Sequence, residues 1–559
     1  MPTGVVPQRH INRLLRPSLL PSLLGALILC AALAAALPAA FSQCTPPPSI
    51  AAELKAQPDA SVYAKLGNWF ASRNQPACAA DAFGKAVAMQ PDSANYAYLW
   101  GLSLSSAGQP RQAIAPLEQS LRIDPTSIDA HLVLGSVLSR LGRRADADAQ
   151  WRFVLSLDAK SSAALESLSR DLLVDGNYVS VIDLLRPVEA SGQLSAASAI
   201  NLSVAYTKAG LLSNAYDVLQ PALHANPSSL PLIEALSAVL VMLDRYQDAA
   251  QMLSVVARQH AGDEPLQIQY LHVLVLAGDP AAEPLCQRLL KADPDHWELL
   301  YLMGLLRQNA HDLNAARTWF EKSVARKPDY ADSHFHLGSV LAALHDNSAA
   351  RQQLEKAIAL GFHEPQVHFE LGRAYRALGN DTAAQQQFQQ YQQDEHAELN
   401  KEIASDKYRQ ADQAQAAGNY SQAAEYYRQA LSVDPNEPLL AYRLAMALDK
   451  TGDVAGERTA LEQAINDNPQ MAVAQNQLGY LDFSAGNTEP AIKHFQLAVQ
   501  ADPDFTKAWM NLAAALCVQS KWEDARSALR HVLELDPGSA PAHQLLQRID
   551  SIEIPQPTR

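Results

Sequence analysis

The chain has 559 residues with 18% charged and 48% hydrophobic side chains. Division by about 150 residues per domain would give three or four globular units, yet few glycines (24) among much Ala, Leu and Gln read as mostly helical and exclude a disordered chain, a sandwich or a barrel. A net charge of −15 without a Lys/Arg run disfavours nucleic acid, and five cysteines with no CxxC pair exclude a disulfide framework and a zinc ribbon.

Residues 1–42 carry Arg9, Arg13 and Arg16 and no acid, then the apolar run Leu23 to Leu37, Pro38 and the small-residue end Ala40-Phe41-Ser42. Basic, apolar and small residues in that order mark a secretory signal peptide, and the run is short of the ~20 residues that span a bilayer. Cleavage after Ser42 would leave an exported chain, periplasmic or secreted, of net charge −18. The alternative keeps residues 19–41 as an anchor and places the chain near a membrane through its amino terminus. Gln43 argues against a lipid on Cys44, since that pattern wants a small residue there. Residues 43–57, opening Thr45-Pro46-Pro47-Pro48, read as a Pro-rich spacer.

From residue 58 a period of 34 takes over. Pro91 and Pro125, Pro294 and Pro328, then Pro435, Pro469, Pro503 and Pro537 keep that interval. Eight residues before each anchor stands a large apolar residue such as Phe83, Leu117, Trp151, Phe320, Phe495 or Leu529, with Cys286 the exception. Twelve before it is usually Ala (Ala79, Ala113, Ala147, Ala316, Ala491), with Val181 and Glu457 departing. Leu66-Gly67, Trp100-Gly101, Leu134-Gly135, Met303-Gly304, Leu337-Gly338, Leu371-Gly372 and Leu478-Gly479 mark the first helix of a unit.

This pattern resembles the tetratricopeptide repeat family, W-x2-L-G-x2-Y, then A-x3-F, then P, here in an exported bacterial form. The resemblance covers residues 58–536. It implies an all-α, right-handed superhelical α-solenoid of about fourteen helix-turn-helix units, in which small residues let paired helices approach and large ones fill the space beside the neighbouring unit. Ten units occupy 58–395 and four occupy 401–536. Residues 396–400 are an insertion. No Pro or Gly occurs from Asp381 to Ala417, which predicts a long helix or a hinge near 381–417. Residues 537–552 read as a capping helix and 553–559 as a tail.

No HExxH, GxSxG, Walker loop or GxGxxG fingerprint occurs, and the sequence outside signal and repeats is too short for a catalytic domain, so no enzyme and no cofactor are expected. His334 and His336 flank Phe335, and His368 lies 34 residues after His334; two imidazoles on stacked helices, His334 and His368, without a third ligand are a weak basis for a metal. Cys44 and Cys78 are candidates for a disulfide in an oxidising compartment, their separation being open in sequence alone. Cys286 and Cys517 read as small buried apolar residues.

In the resembled family the first helices line the concave face and contact bound peptides. Carried onto this chain, the fifth position of five consecutive first helices reads Tyr301, Phe335, Phe369, Tyr408 and Tyr442, with Tyr98 isolated and Val241, Met242, Val275 and Leu276 as an apolar patch upstream. Either these residues contact a partner or they pack between helices. Arg170, Lys208 and Arg373 are too scattered for a carboxylate clamp. The implied function is a non-catalytic scaffold binding a protein or peptide; the alternative is a membrane-tethered envelope assembly or secretion factor.

Overall fold

A computed structural model describes residues 44–536 and 538–551. The signal segment 1–42 and the tail 553–559 lie outside the described residues. Among the described residues there are 29 α-helices and no strand. The helix Pro48–Ala56 leads, fourteen helical hairpins follow from Ala60 to Leu535, and the helix Ala540–Asp550 ends the array. The fold class is therefore an all-α solenoid of helix-turn-helix repeats.

The hairpin follows from a small set of residue choices. The recurring alanine of the second helix is fully buried at Ala79, Ala113, Ala147, Ala316 and Ala491. The large residue four positions on is buried too, as at Leu117, Phe320, Phe495 and Leu529. Its space is made by the glycine of the first helix: a Cβ on Gly304 would lie 2.6 Å from the Phe320 ring, and one on Gly479 2.8 Å from Phe495. Some helix starts are capped by side chains that accept from the orphan amides of the first turn, as Asp59 does from Val62 N (2.9 Å) and Asp312 from Ala315 N (3.1 Å). Between the two helices the chain turns through one left-handed residue, Gly108 or Gly142 in some repeats and His311 (φ 59°) or His345 (φ 64°) in others.

Two segments differ from, or refine, the sequence reading. The stretch 43–57 is not an extended spacer throughout, because Pro47 and Pro48 pre-set the first turn and Ser49 to Ala56 continue it as the helix Pro48–Ala56. Ile50 and Leu54 of that helix pack on the cluster of Ala64, Phe70, Cys78 and Phe83. Asp381–Ala416 is one helix of 36 residues, about 54 Å at 1.5 Å per residue. It serves as second helix of the tenth repeat and first helix of the eleventh.

The chain forms two compact units. One contains Tyr206–Gln410 and Gln429–Pro435; the other contains the described residues through Ala205, then Ala411–Arg428 and those from Asn436 onward. In the latter, repeats from the two ends of the sequence pack against each other: the helix Arg144–Leu157 meets the helix Trp522–Leu535.

Candidate functional site

The five aromatic residues do not form one exposed stripe. Tyr301 is fully buried, with the rings of Tyr330, His336 and Phe320 centred 5.3, 5.7 and 5.9 Å away. Burial holds its hydroxyl well above the ordinary phenol range. Phe335 is 1% exposed and stacks on Phe362 at 4.4 Å. Tyr408 is fully buried. Tyr442 is buried beneath the Arg443 guanidinium, 5.7 Å from its ring centre, while Arg443 pairs with Asp183 at 2.6 Å. These four pack inside the stack.

Phe369 is the member that remains at the surface, 39% exposed. It meets Tyr391 at 5.3 Å and the edge of Phe388 at 5.8 Å, and the Arg376 guanidinium covers Phe388 at 4.6 Å. Beside it an open depression of about 500 Å³ is lined by Arg376, Asp381, Gln385, Phe388, Gln389 and Gln392. Arg373, exposed on the same first helix, is held by both oxygens of Glu370 at 3.1 Å. Leu399 and Ile403 add exposed apolar surface further along the long helix.

The upstream patch is internal as well: Val241, Val275 and Leu276 are buried and Met242 is half-buried. Tyr98 is half-buried, while Arg170 and Lys208 are exposed. Exposed first-helix residues not singled out from sequence include Tyr480 (51%) and Val518 (63%). Both follow the apolar spacing of their helices, so spacing alone marks them as core; only the neighbouring repeat decides otherwise.

The histidines have structural partners. His334 Nδ1 is hydrogen-bonded to Gln353 Oε1 at 2.7 Å and its Nε2 meets the Pro328 carbonyl at 3.0 Å. His131 repeats both contacts with Gln150 and Pro125. His368 meets Gln387 at 2.6 Å. In each case a first-helix imidazole is tied to a glutamine nineteen residues later on the second helix. His336, fully buried, bonds Gln308 at 3.1 Å, and burial depresses its pKa to about 3. No group of three or more His, Cys, Asp or Glu able to hold a metal occurs among the described residues.

Cys44 and Cys78 form a disulfide with a Cα separation of 5.4 Å, tying the segment before the helix Pro48–Ala56 to the first repeat. Cys286 is buried, and burial pushes its thiol up to about 12. Cys517 is half-buried. Among the described residues no helix is long and apolar enough to cross a membrane.

Two tetratricopeptide-repeat family models match, one over residues 301–361, 335–398 and 408–472 and the other over 482–549. The chain carries tetratricopeptide repeats. These matched segments include Phe369, its Tyr391 neighbour and the long helix apart from residues 399–407. Among curated proteins, the chain is similar to small glutamine-rich tetratricopeptide repeat-containing protein 2 of Mycosarcoma maydis, 28% identical over 106 residues, 19% of this chain and 30% of that protein. It is 34% identical over 106 residues to the photosystem I assembly protein Ycf3 of Synechococcus elongatus, 17% of this chain and 60% of that one. It is 23% identical over 177 residues to the human protein O-mannosyl-transferase TMTC1, 24% of this chain and 20% of that protein. The matches thus span less than two thirds of each relative. Among solved structures, the Cut9-Hcn1 hetero-tetramer of the APC/C aligns over 90% of this chain and 98% of its own at 14% identity and a TM-score of 0.32.

Proposed function

We propose that this tetratricopeptide-repeat chain is a non-catalytic scaffold that binds a polypeptide partner on exposed faces of its first helices. The observation that carries the reading is the exposure of Phe369 where its four register-mates are buried. A half-exposed ring offers large contact area at low entropy cost, the property that makes aromatic residues binding anchors. Arg373 and the Gln-lined depression beside Phe369 supply donors for the main chain of an extended peptide. Tyr480 gives the other compact unit a second exposed anchor.

Relatives point the same way: a Synechococcus protein named for photosystem I assembly shares the repeats. The transferase relative matches over only 20% of its length. The experiment is partner capture by the double variant Phe369→Ala, Tyr480→Ala from its native host. The proposal expects at least a tenfold loss of captured partner, about 1.4 kcal/mol or more, with helicity unchanged. Undiminished capture contradicts it.

A further inference from the structure

Within the unit that holds both ends of the sequence, side chains more than 200 positions apart meet as charged pairs. Arg443 binds Asp183 at 2.6 Å, Arg186 binds Asp412 at 2.7 Å, and Arg152 lies 3.7 Å from Asp502. Asp183 and Arg186 lie on the helix Tyr178–Ala190 and Arg152 on the helix Arg144–Leu157, the second helices of the fourth and third repeats. Their partners come from the end of the long helix, the helix Pro438–Thr451 and the turn before the helix Thr506–Val518. A seam of second helices against later repeats results. Tyr427 Oη, donating to Asp412 at 2.7 Å, fixes one of its carboxylates from the carboxyl-terminal side.

One end of this seam holds more acid than base. Asp148, Asp171 and Asp504 are 5%, 5% and 8% exposed. Asp148 faces Arg152 on its own helix, Asp171 and Asp175 from the neighbouring repeat, and Asp504 across the seam. Asp504 faces Arg152, Asp502, His531 on the helix Trp522–Leu535, and Asp146. Of the nearby cations, Arg143 binds Asp146 at 2.6 Å and Arg144 binds Asp175 at 3.0 Å, while Arg144 and Arg170 face Asp171, whose pKa burial nonetheless raises. His131, on the first helix of the same repeat, is turned to Gln150. Ser139 donates to Asp171 at 3.1 Å, yet Oδ2 of Asp171 and Oδ1 of Asp148 have no hydrogen-bond partner among the described residues.

We propose that this seam is a proton-operated latch, closed in acid and loosened as the acids of the Asp148–Asp504 cluster ionise. Buried carboxylates around one arginine cannot all be charged without repulsion and lost hydration. Burial chiefly, opposed by Arg152, raises Asp148 to about 8, and burial likewise raises Asp504 to about 6. Groups raised above their ordinary carboxylate range bind more protons in the closed form than in an opened, hydrated one. Closure is therefore favoured at low pH and weakens as pH rises from the ordinary carboxylate value of 3.8 up to about 8. The Asp183–Arg443 and Arg186–Asp412 pairs give the seam its register, and opening would uncover the second-helix faces of the third and fourth repeats.

The test uses the full chain with Cys30→Ala and Cys517→Ala, keeping the Cys44–Cys78 disulfide, and spin labels on Lys160→Cys and Arg530→Cys, exposed positions on either side of the seam. Pulsed dipolar distances are read at about pH 5.5 and about pH 8.5, with helicity measured alongside. The latch predicts one short distance in acid and, at the higher pH, a longer component enriched about tenfold or more. Asp148→Asn with Asp504→Asn, neutral mimics of the protonated acids, should hold the short distance at both pH values. Identical distributions for the parent chain at both pH values overturn the latch. So does a doubly neutralised chain that responds like the parent, or a distance change that tracks loss of helicity.

Discussion

The glycine at Gly304 is where the repeat is most sensitive to a single carbon atom. An added Cβ would lie 2.6 Å from the Phe320 ring, which is itself fully buried and stacked near His336 at 5.7 Å. Relief would need the paired helices to part. Gly304→Ala should therefore lower stability by about 1–3 kcal/mol, read as a drop in denaturation midpoint, and a change below 0.5 kcal/mol would show that the pair opens freely. This contact was legible in sequence, since Met303-Gly304 and Phe320 recur at a fixed spacing. The fate of the five aromatics was not. Tyr301, Phe335 and Phe369 share one register position, yet Tyr330 and Phe362 cover the first two and leave the third at the surface. Residue spacing specifies which helix face a side chain is on; what lies opposite depends on non-recurring residues of the turns. Asp148 was not legible either. The equivalent positions are apolar in neighbouring repeats, Ile114 and Ile182, but charged in others, Glu283, Arg317 and Arg458, so only the packing across the seam makes this acid special.

At the scale of the element, Pro and Gly placement governs where helices stop. Inter-repeat prolines fall just beyond second helices, as Pro125 after the helix Pro110–Ile123 and Pro469 after Val454–Asp467. Where both residue types are missing, from Asp381 to Ala416, the helix runs on through two repeats. At the other end Pro48 starts a helix, which composition alone presented as an extended spacer. The long helix predicts intolerance of a mid-helix break. Ala397 is exposed, so Ala397→Pro disturbs no core contact but removes a backbone bond and forces a clash. It should cost about 3 kcal/mol and raise hydrogen exchange on both sides of residue 397. Unchanged exchange would mean that the segment bends there without cost, as a hinge would.

At the scale of the whole molecule, the period of 34 made the all-α repeat fold readable without any structure. It did not reveal the division into two compact units or the meeting of the third and fourth repeats with the last ones, because contacts across more than 200 residues leave no trace in a local period. The large negative charge is distributed over a long surface and also concentrated at one buried cluster, where it becomes a proton-binding seam. The central claim is that first-helix surface, anchored by Phe369 and Tyr480, receives a polypeptide. The most direct measurement places a photo-crosslinking residue singly at 369, 480, 255 and 497 in the native host. Val255 and Leu497 are equally apolar and exposed, 50% and 44%, but lie on second helices. The account predicts discrete polypeptide adducts from positions 369 and 480 and none from 255 and 497. Adducts from the second-helix positions alone, or the same adducts from all four, would contradict it.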